Sequence, residues 1–353
     1  MKINPKKEIS PVDQWTADEF NGMPYRRLGN SGLRVANVGI GTWKFGYPET
    51  GDGARVDEQT AHRIFDRAME IGATFWDTAN RYNDASGNSE RVIGTWMRSN
   101  PSQRRNVILA TKIYAPMDGI SPNHSRLSRL NIMHSVYACL ERLQVDHIDL
   151  LYFHLYDATT PIEESLAAIE DLVREGVIYY FAVSNFTVDQ LRQYRSCESR
   201  FSNRIRILAV QNKFDVVSLE DPAKPGVINY CARKGMSFVA WTPLLKGLLT
   251  DKYQDMAAVG RGDRLFDEGT LETAREMPYF PRIRKLAGLA KKWELSLNQL
   301  VIAYMLAIPG MGPVIPSVSS VSQLESNALG GRISLSREEI LEIEKILTQN
   351  DSA

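Results

Sequence analysis

The chain repeats one pattern: a short apolar run, then a longer stretch with apolar residues at helical spacing. In order, the runs are "VANVGIGTW" (Val35–Trp43), "ATFWDT", "VILATK", "IDLLYFH", "IYYFAVSN", "ILAVQN", "MSFVAWTPL" and "GPVIPS". The stretches that follow include "EQTAHRIFDRAMEIG", "SERVIGTWMRS", "LNIMHSVYACLERLQ" and "PIEESLAAIEDLVREG". Runs that are apolar throughout suit strands buried on both faces of a parallel sheet. Eight strand–helix units in roughly 300 residues suit an α/β fold, a closed (β/α)8 barrel. An open, doubly wound sheet is the alternative. "YRRLGNSGLRV" reads as an N-terminal β-hairpin around Gly29–Gly32 that covers the bottom of the barrel. Residues 1–22 read as a polar extension, and 23–353 as a single domain with extra C-terminal helices. The polar stretch Thr250–Phe280 is too long for a simple connector and reads as a functional loop.

Composition narrows the setting. Lys plus Arg and Asp plus Glu number 42 each, which gives no global attraction to nucleic acid or an acidic membrane. No apolar run approaches the ~18 residues of a bilayer span, and the N-terminus lacks the apolar core of a secretory signal. The three cysteines, Cys139, Cys197 and Cys231, show neither disulfide nor zinc spacing. A reducing, cytoplasmic location is expected, with no metal site.

Polar residues at the ends of apolar runs carry the candidate chemistry. Asp77 ends the second run, Lys112 the third and His154 the fourth, while Tyr82 follows in the loop after Asp77. In a (β/α)8 barrel, strand C-termini share one mouth. Singly, each residue has an ordinary reading: a turn acid, a solvated lysine, a core histidine, a packed loop ring. Together they suggest one pocket, with Asp77 and Lys112 as a pair because buried ionisable groups need partners. "GIGTW" does not keep the G-x-G-x-x-G spacing of an open dinucleotide-binding sheet.

The motifs "GIGTW", "DTANRY", "GNSERVIG", "ATK", "VSNF", "WTPLLKGLLTDKY" and "IPSVSSVSQLESN" occur in one order from about Tyr25 to Leu347. With them the chain resembles the aldo-keto reductases, in the bacterial branch near the potassium-channel β subunits. The resemblance implies a catalytic tetrad of Asp77, Tyr82, Lys112 and His154. Tyr82 would protonate a carbonyl as hydride arrives, Lys112 would make its anion tolerable, Asp77 would hold Lys112, and His154 would orient the substrate. It also implies a nicotinamide site. Gly41, Thr42 and Trp43 line its nicotinamide end with Asp77. Ser184, Asn185 and Gln211 hold the carboxamide, and Trp241 stacks on the ring. Thr242, Pro243, Leu244, Lys246, Gly247 and Leu248 follow the pyrophosphate. The turn carrying Ser317, Ser319, Gln323, Ser326 and Asn327 takes the adenosine end. The long polar loop, which directly follows the pyrophosphate segment and carries Arg261 and Arg264 among glycines, reads as a strap that closes over the cofactor.

Ser320 and Gln323 also read as a capping box, and Ser184–Asn185 as a helix cap. Several positions depart from the family pattern: Trp241 for tyrosine, Thr242 for serine, "QNKFD" for a tyrosine–asparagine pair, and Ser317 for glycine. No Arg or Lys stands in the adenosine turn, so NADP(H) is expected to be preferred only modestly, with NAD(H) usable. The implied partner is a small carbonyl or alcohol substrate, with no nucleic acid and no membrane. A cofactor-sensing subunit like the channel β proteins is the second reading, and a metal hydrolase or aldolase on the same fold the third. His62, His124, His134 and His147 show no ligand spacing for the last.

Overall fold

The computed structural model describes residues 18–117, 119–201, 205–254 and 259–348. Most of the expected polar extension, and residues 255–258 of the long polar loop, lie outside the described residues. Strand β1 (Glu19–Phe20) pairs antiparallel with β2 (Met23–Arg27), which pairs antiparallel with β3 (Arg34–Ala36). This hairpin lies against the strand N-termini of the barrel. Gly29 N–H donates to Ser237 Oγ at 2.8 Å, and Arg26 reaches Met311 O at 2.9 Å. A Cβ on Gly29 would stand 2.4 Å from Leu208 O, so the close approach requires glycine.

The first apolar run, read as one strand, is divided between β3 and the short β4 (Ile40–Gly41). Asn37 lies between them and turns its side chain to Arg26 and Gly331. Helix α1 (Glu58–Glu70) leads to β5 (Phe75–Asp77), the short turn α2 (Tyr82–Ala85) and α3 (Asn88–Ser99). Then β6 (Ile108–Ile113), α4 (Arg129–Leu143), β7 (Ile148–Phe153), α5 (Ile162–Glu175), β8 (Ile178–Ser184) and α6 (Val188–Glu198) alternate. They are followed by β9 (Ile207–Asp215), with β10 (Leu219–Glu220) folded back on it, α7 (Val227–Lys234) and β11 (Ser237–Trp241). The long loop holds α8 (Arg264–Asp267) and α9 (Leu271–Arg275). The chain ends with α10 (Phe280–Lys292), α11 (Leu297–Ala307), β12 (Met311–Val314), α12 (Val321–Gly330) and α13 (Arg337–Thr348).

Eight parallel strands run in the order β4-β5-β6-β7-β8-β9-β11-β12. The remaining seam is closed by parallel bridges from Val38 to Val314 and from Gly41 to Ser317. Gly39 N–H donates to Val314 O at 2.9 Å, and Gly41 N–H to Pro316 O at 3.1 Å. The fold is therefore a (β/α)8 barrel with an N-terminal hairpin and added C-terminal helices. Among the described residues no helix is long and apolar enough to cross a membrane.

Side-chain alternation along the strands positions the site. On β5, Trp76 faces the helices, stacked on Phe65 (4.3 Å) and edge-on to Trp96 (4.8 Å). Its neighbour Asp77 must then face the barrel interior. On β6, Thr111 faces outward and donates to Glu90 Oε1 at 2.6 Å, beside the buried Glu90–Arg142 pair, which puts Lys112 inside. On β7, Phe153 packs outward on Phe181 and Tyr194, leaving Tyr152 inside.

Candidate active site

Three side chains from the strand ends meet through one ammonium. Lys112 Nζ donates to Asp77 Oδ1 at 2.5 Å, to Thr78 O at 2.8 Å and to Tyr82 Oη at 2.8 Å. Asp77 and Lys112 side chains are only 2% and 1% exposed. The second carboxylate oxygen accepts from Gln211 Nε2 at 2.8 Å. Thr42 N and Oγ1 both donate to the Asp77 carbonyl at 3.0 Å. Burial pulls Lys112 down and pushes Asp77 up, and the charge of each opposes the other's shift. With these hydrogen bonds supplied, a buried ion pair can be held.

The Tyr82 phenol is held well above its ordinary value, first by burial and then by the Asp77 charge. In this resting arrangement the phenol holds its proton. Tyr82 opens a turn in which Asn83, Asp84 and Ala85 all have positive φ (58°, 56° and 63°). Such backbone costs about 1–2 kcal/mol per ordinary residue and less for Asn and Asp. Here Asn83 Nδ2 holds it by donating to Phe45 O at 2.5 Å. The His154 ring stands edge-on to the Tyr82 ring, with centroids 6.1 Å apart. Burial first, then Lys112 and Arg81, bring its pKa down to about 3, so the imidazole is neutral at ordinary pH.

Beside these groups, Ser184 Oγ donates to Gln211 O at 2.7 Å. Asn185, at φ 60°, donates to His154 O at 3.0 Å and accepts from Trp241 Nε1 at 3.2 Å. Trp43 is 42% exposed at the rim, under the Lys44 ammonium (4.6 Å) and the Arg264 guanidinium (5.1 Å). Arg264 and Lys246 both bind Glu268, at 2.8 and 3.0 Å. Arg55 holds Asp267 at 2.7 Å and Gly262 O at 2.9 Å. The described part of the long loop thus reaches across to the segment after β4. Among the described residues no group of three or more His, Cys, Asp or Glu could hold a metal ion.

A model of the Aldo/keto reductase family matches residues 37–348. The chain belongs to the aldo/keto reductase family. Relatives include the uncharacterized oxidoreductase YrpG of Bacillus subtilis, 33% identical over 90% of this chain and 93% of that one. A probable voltage-gated potassium channel subunit beta of Oryza sativa subsp. japonica is 29% identical over 86% and 90%. The aldo-keto reductase str7 of Strobilurus tenacellus is 29% identical over 93% of each.

In this aldo/keto reductase the expected site residues divide into two sets. Asp77, Tyr82, Lys112, His154, Gly41, Thr42, Ser184, Asn185 and Trp241 lie at or just after the C-terminal ends of β4 to β11, around one mouth, and Gln211 lies within β9, level with Ser184. Thr242, Pro243, Leu244, Lys246, Gly247 and Leu248 continue from β11, with Thr242, Lys246 and Gly247 at positive φ. Exposed Ser317 faces Gly41. At the start of α12, Ser319 donates through N–H (2.8 Å) and Oγ (3.2 Å) to Gln323 Oε1.

Three details differ from the sequence reading. Helix α6 is capped by Thr187 in a full capping box with Gln190, not by Ser184–Asn185. The α12 capping box is half formed: Gln323 N–H donates to Ser320 Oγ at 3.3 Å, but the Gln323 side chain takes Ser319 instead of Ser320. Asn327 does not share an open face with Gln323. It is buried and accepts from Asn298 Nδ2 at 2.8 Å, and Ser326 also bonds Asn298. Sequence reasoning missed Gln211 as a partner of Asp77, Thr78 O as a ligand of Lys112, and Tyr152 beneath the ammonium, which stands 5.7 Å over its ring.

Proposed function

We propose that this chain is an NADP(H)-dependent reductase of an aldehyde or ketone, of the sugar or keto-glycoside type, working in the cytoplasm on a small molecule. The contact chain Asp77–Lys112–Tyr82 beside a neutral imidazole carries the reading. Tyr82 keeps its proton across the working pH range and so serves as the general acid. As the proton leaves, the phenolate forms 2.8 Å from Lys112 Nζ, where the ammonium stabilises it. Asp77, fixed from both sides by Lys112 and Gln211, keeps that ammonium aimed. His154, uncharged, offers a ring N–H to the carbonyl oxygen without competing for the proton.

The residues present fit a nicotinamide dinucleotide. Asn185 and Trp241 stand beside the tetrad as an amide and a ring face, which suit a carboxamide-bearing heterocycle. The first turn of α12 leaves backbone N–H groups without intrahelical acceptors and has exposed Ser319 and Ser322 hydroxyls, which suit a phosphate. When bound, the reduced cofactor supplies the hydride. Ser184, Asn185 and Gln211 would hold its nicotinamide end, Thr242 to Leu248 its pyrophosphate, and the α12 turn its adenosine, with the α8 loop across it.

Tyr82→Phe tests the assignment. Carbonyl reduction should fall by ~10²–10⁴-fold with cofactor affinity almost unchanged, because the phenol proton matters only in the transition state. Retention of more than about a tenth of kcat would refute it. The likeness to a protein named a channel β subunit supports a second reading, a cofactor-sensing subunit. Cofactor-dependent recovery of a protein partner, without turnover of any carbonyl in a broad panel, would favour that one.

A further inference from the structure

Arg81 sits at the mouth, immediately before Tyr82, with an exposed side chain. Its carbonyl accepts from Ala85 N–H at 3.2 Å, which ties its backbone into the left-handed turn. Its guanidinium is close enough to His154 to help depress the imidazole. No ion pair or side-chain hydrogen bond engages it among the described residues. Three other arginines of this end are occupied: Arg55 by Asp267, Arg264 by Glu268, and Arg126 by Thr159 Oγ1 at 2.8 Å.

Asp77 and Asp157 are engaged away from Arg81. Asp77 is held by Lys112 and Gln211. Asp157 accepts from Leu127 N–H, from Thr159 through both N–H and Oγ1, and from Thr160. Asp84, three residues on, is exposed and makes no ion pair with Arg81 among the described residues; its charge is felt by Lys44. Charge therefore does not cancel at the mouth. Asp77 offsets Lys112, His154 is neutral, and the Arg81 guanidinium is left over. A free guanidinium presents a planar fork that suits a carboxylate bidentately.

We infer that Arg81 selects substrates, and that the preferred carbonyl compounds carry a carboxylate remote from the reacting carbon. This rests on the reductase reading and names the substrate class of that same site. The carboxylate is a handle and leaves unchanged. The carbonyl carbon gains hydride from the reduced nicotinamide, its oxygen gains the Tyr82 proton, and the product is the hydroxy acid.

The test compares 4-carboxybenzaldehyde with benzaldehyde, using NADPH and three proteins: the natural chain, Arg81→Met and Arg81→Lys. In the natural chain kcat/KM should favour the carboxylated aldehyde by about tenfold or more, mostly through KM, since charge-assisted bidentate pairs are among the stronger contacts. Arg81→Met should bring the ratio close to one, Arg81→Lys should restore part of it, and salt should reduce it. A ratio near one in the natural chain, or the same ratio in Arg81→Met, overturns the inference. Binding of 4-carboxybenzyl alcohol and benzyl alcohol, read by tryptophan fluorescence, separates this from the wider reading. Arg81-dependent binding of the acid with no turnover of either aldehyde would overturn the reductase reading alone. Turnover of both aldehydes with no Arg81-dependent difference would overturn the substrate class alone.

Discussion

Replacing Lys112 by Met should destabilise the protein through the charge it strands. At an effective dielectric of about 20, unit charges at the 2.5 Å separation of Lys112 and Asp77 attract by roughly 6–7 kcal/mol. In the native protein that attraction offsets the cost of burying both groups. Without Lys112, Asp77 keeps only neutral partners on its side chain, the Gln211 amide and the Tyr82 phenol, and breaking a buried pair from one side costs about 3–5 kcal/mol. Adding Asp77→Asn removes the stranded charge while keeping the shape, so the double variant should regain about 2 kcal/mol or more. The sign of the pH effect follows. In Lys112→Met the Asp77 carboxyl loses the cation that lowered it, and burial raises its folded pKa above the ordinary ~3.9. Stability is then lost as pH rises through that window, so the deficit should be smaller at pH 5 than at pH 7.5. Urea unfolding followed by tryptophan fluorescence reads these differences. A double variant no more stable than the single one, or a small pH-independent deficit, would refute the buried charged pair.

Two further outcomes are expected. His154 has a folded pKa of about 3 against an ordinary ~6.5, so the folded state binds fewer protons and stability is lost as pH falls below 6.5. At pH 5 the loss is about 2 kcal/mol from this group; His154→Asn should remove that part of the slope, and an unchanged slope would contradict the buried neutral imidazole. NADPH should exceed NADH in kcat/KM by roughly one to two orders of magnitude, or ~1.4–2.8 kcal/mol, because α12 offers N–H groups and serine hydroxyls but no arginine or lysine in its first turn. A preference for NADH would sink the phosphate reading of that turn.

The barrel was legible because its strands are apolar on both faces and each ends in a turn signal. The polar ends of those runs pointed to Asp77, Lys112 and His154, and the loop after Asp77 to Tyr82, on physical grounds, whereas the role of each rested on resemblance. What the chain concealed depends on distant partners. Gln211 and Asp77 are 134 positions apart, and nothing local says which way the amide turns. Asn327 stands four residues from Gln323, a spacing that suggests one face, but Asn298 of α11 captures it. The first run looked like one strand because its apolar pattern is continuous. The break appears only where Gly39 meets β5, with a Cβ position 2.4 Å from Phe75 O. Arg81 was visible as a charge in "DTANRY", but its lack of an ion pair shows only once the hydrogen bonds that hold Asp77 and Asp157 are in place.

The three hydrogens of the Lys112 ammonium are all committed, to Asp77, Thr78 O and Tyr82. Beneath it lies the Tyr152 ring, so the lysine offers no path by which protons could enter from the closed end of the barrel. On the proposed reductase reading, a proton given up by Tyr82 would have to be replenished from the open side of the barrel. That reading gives turnover an order: the alcohol would leave, water would reach the phenolate, and only then would the acid be restored for the next carbonyl.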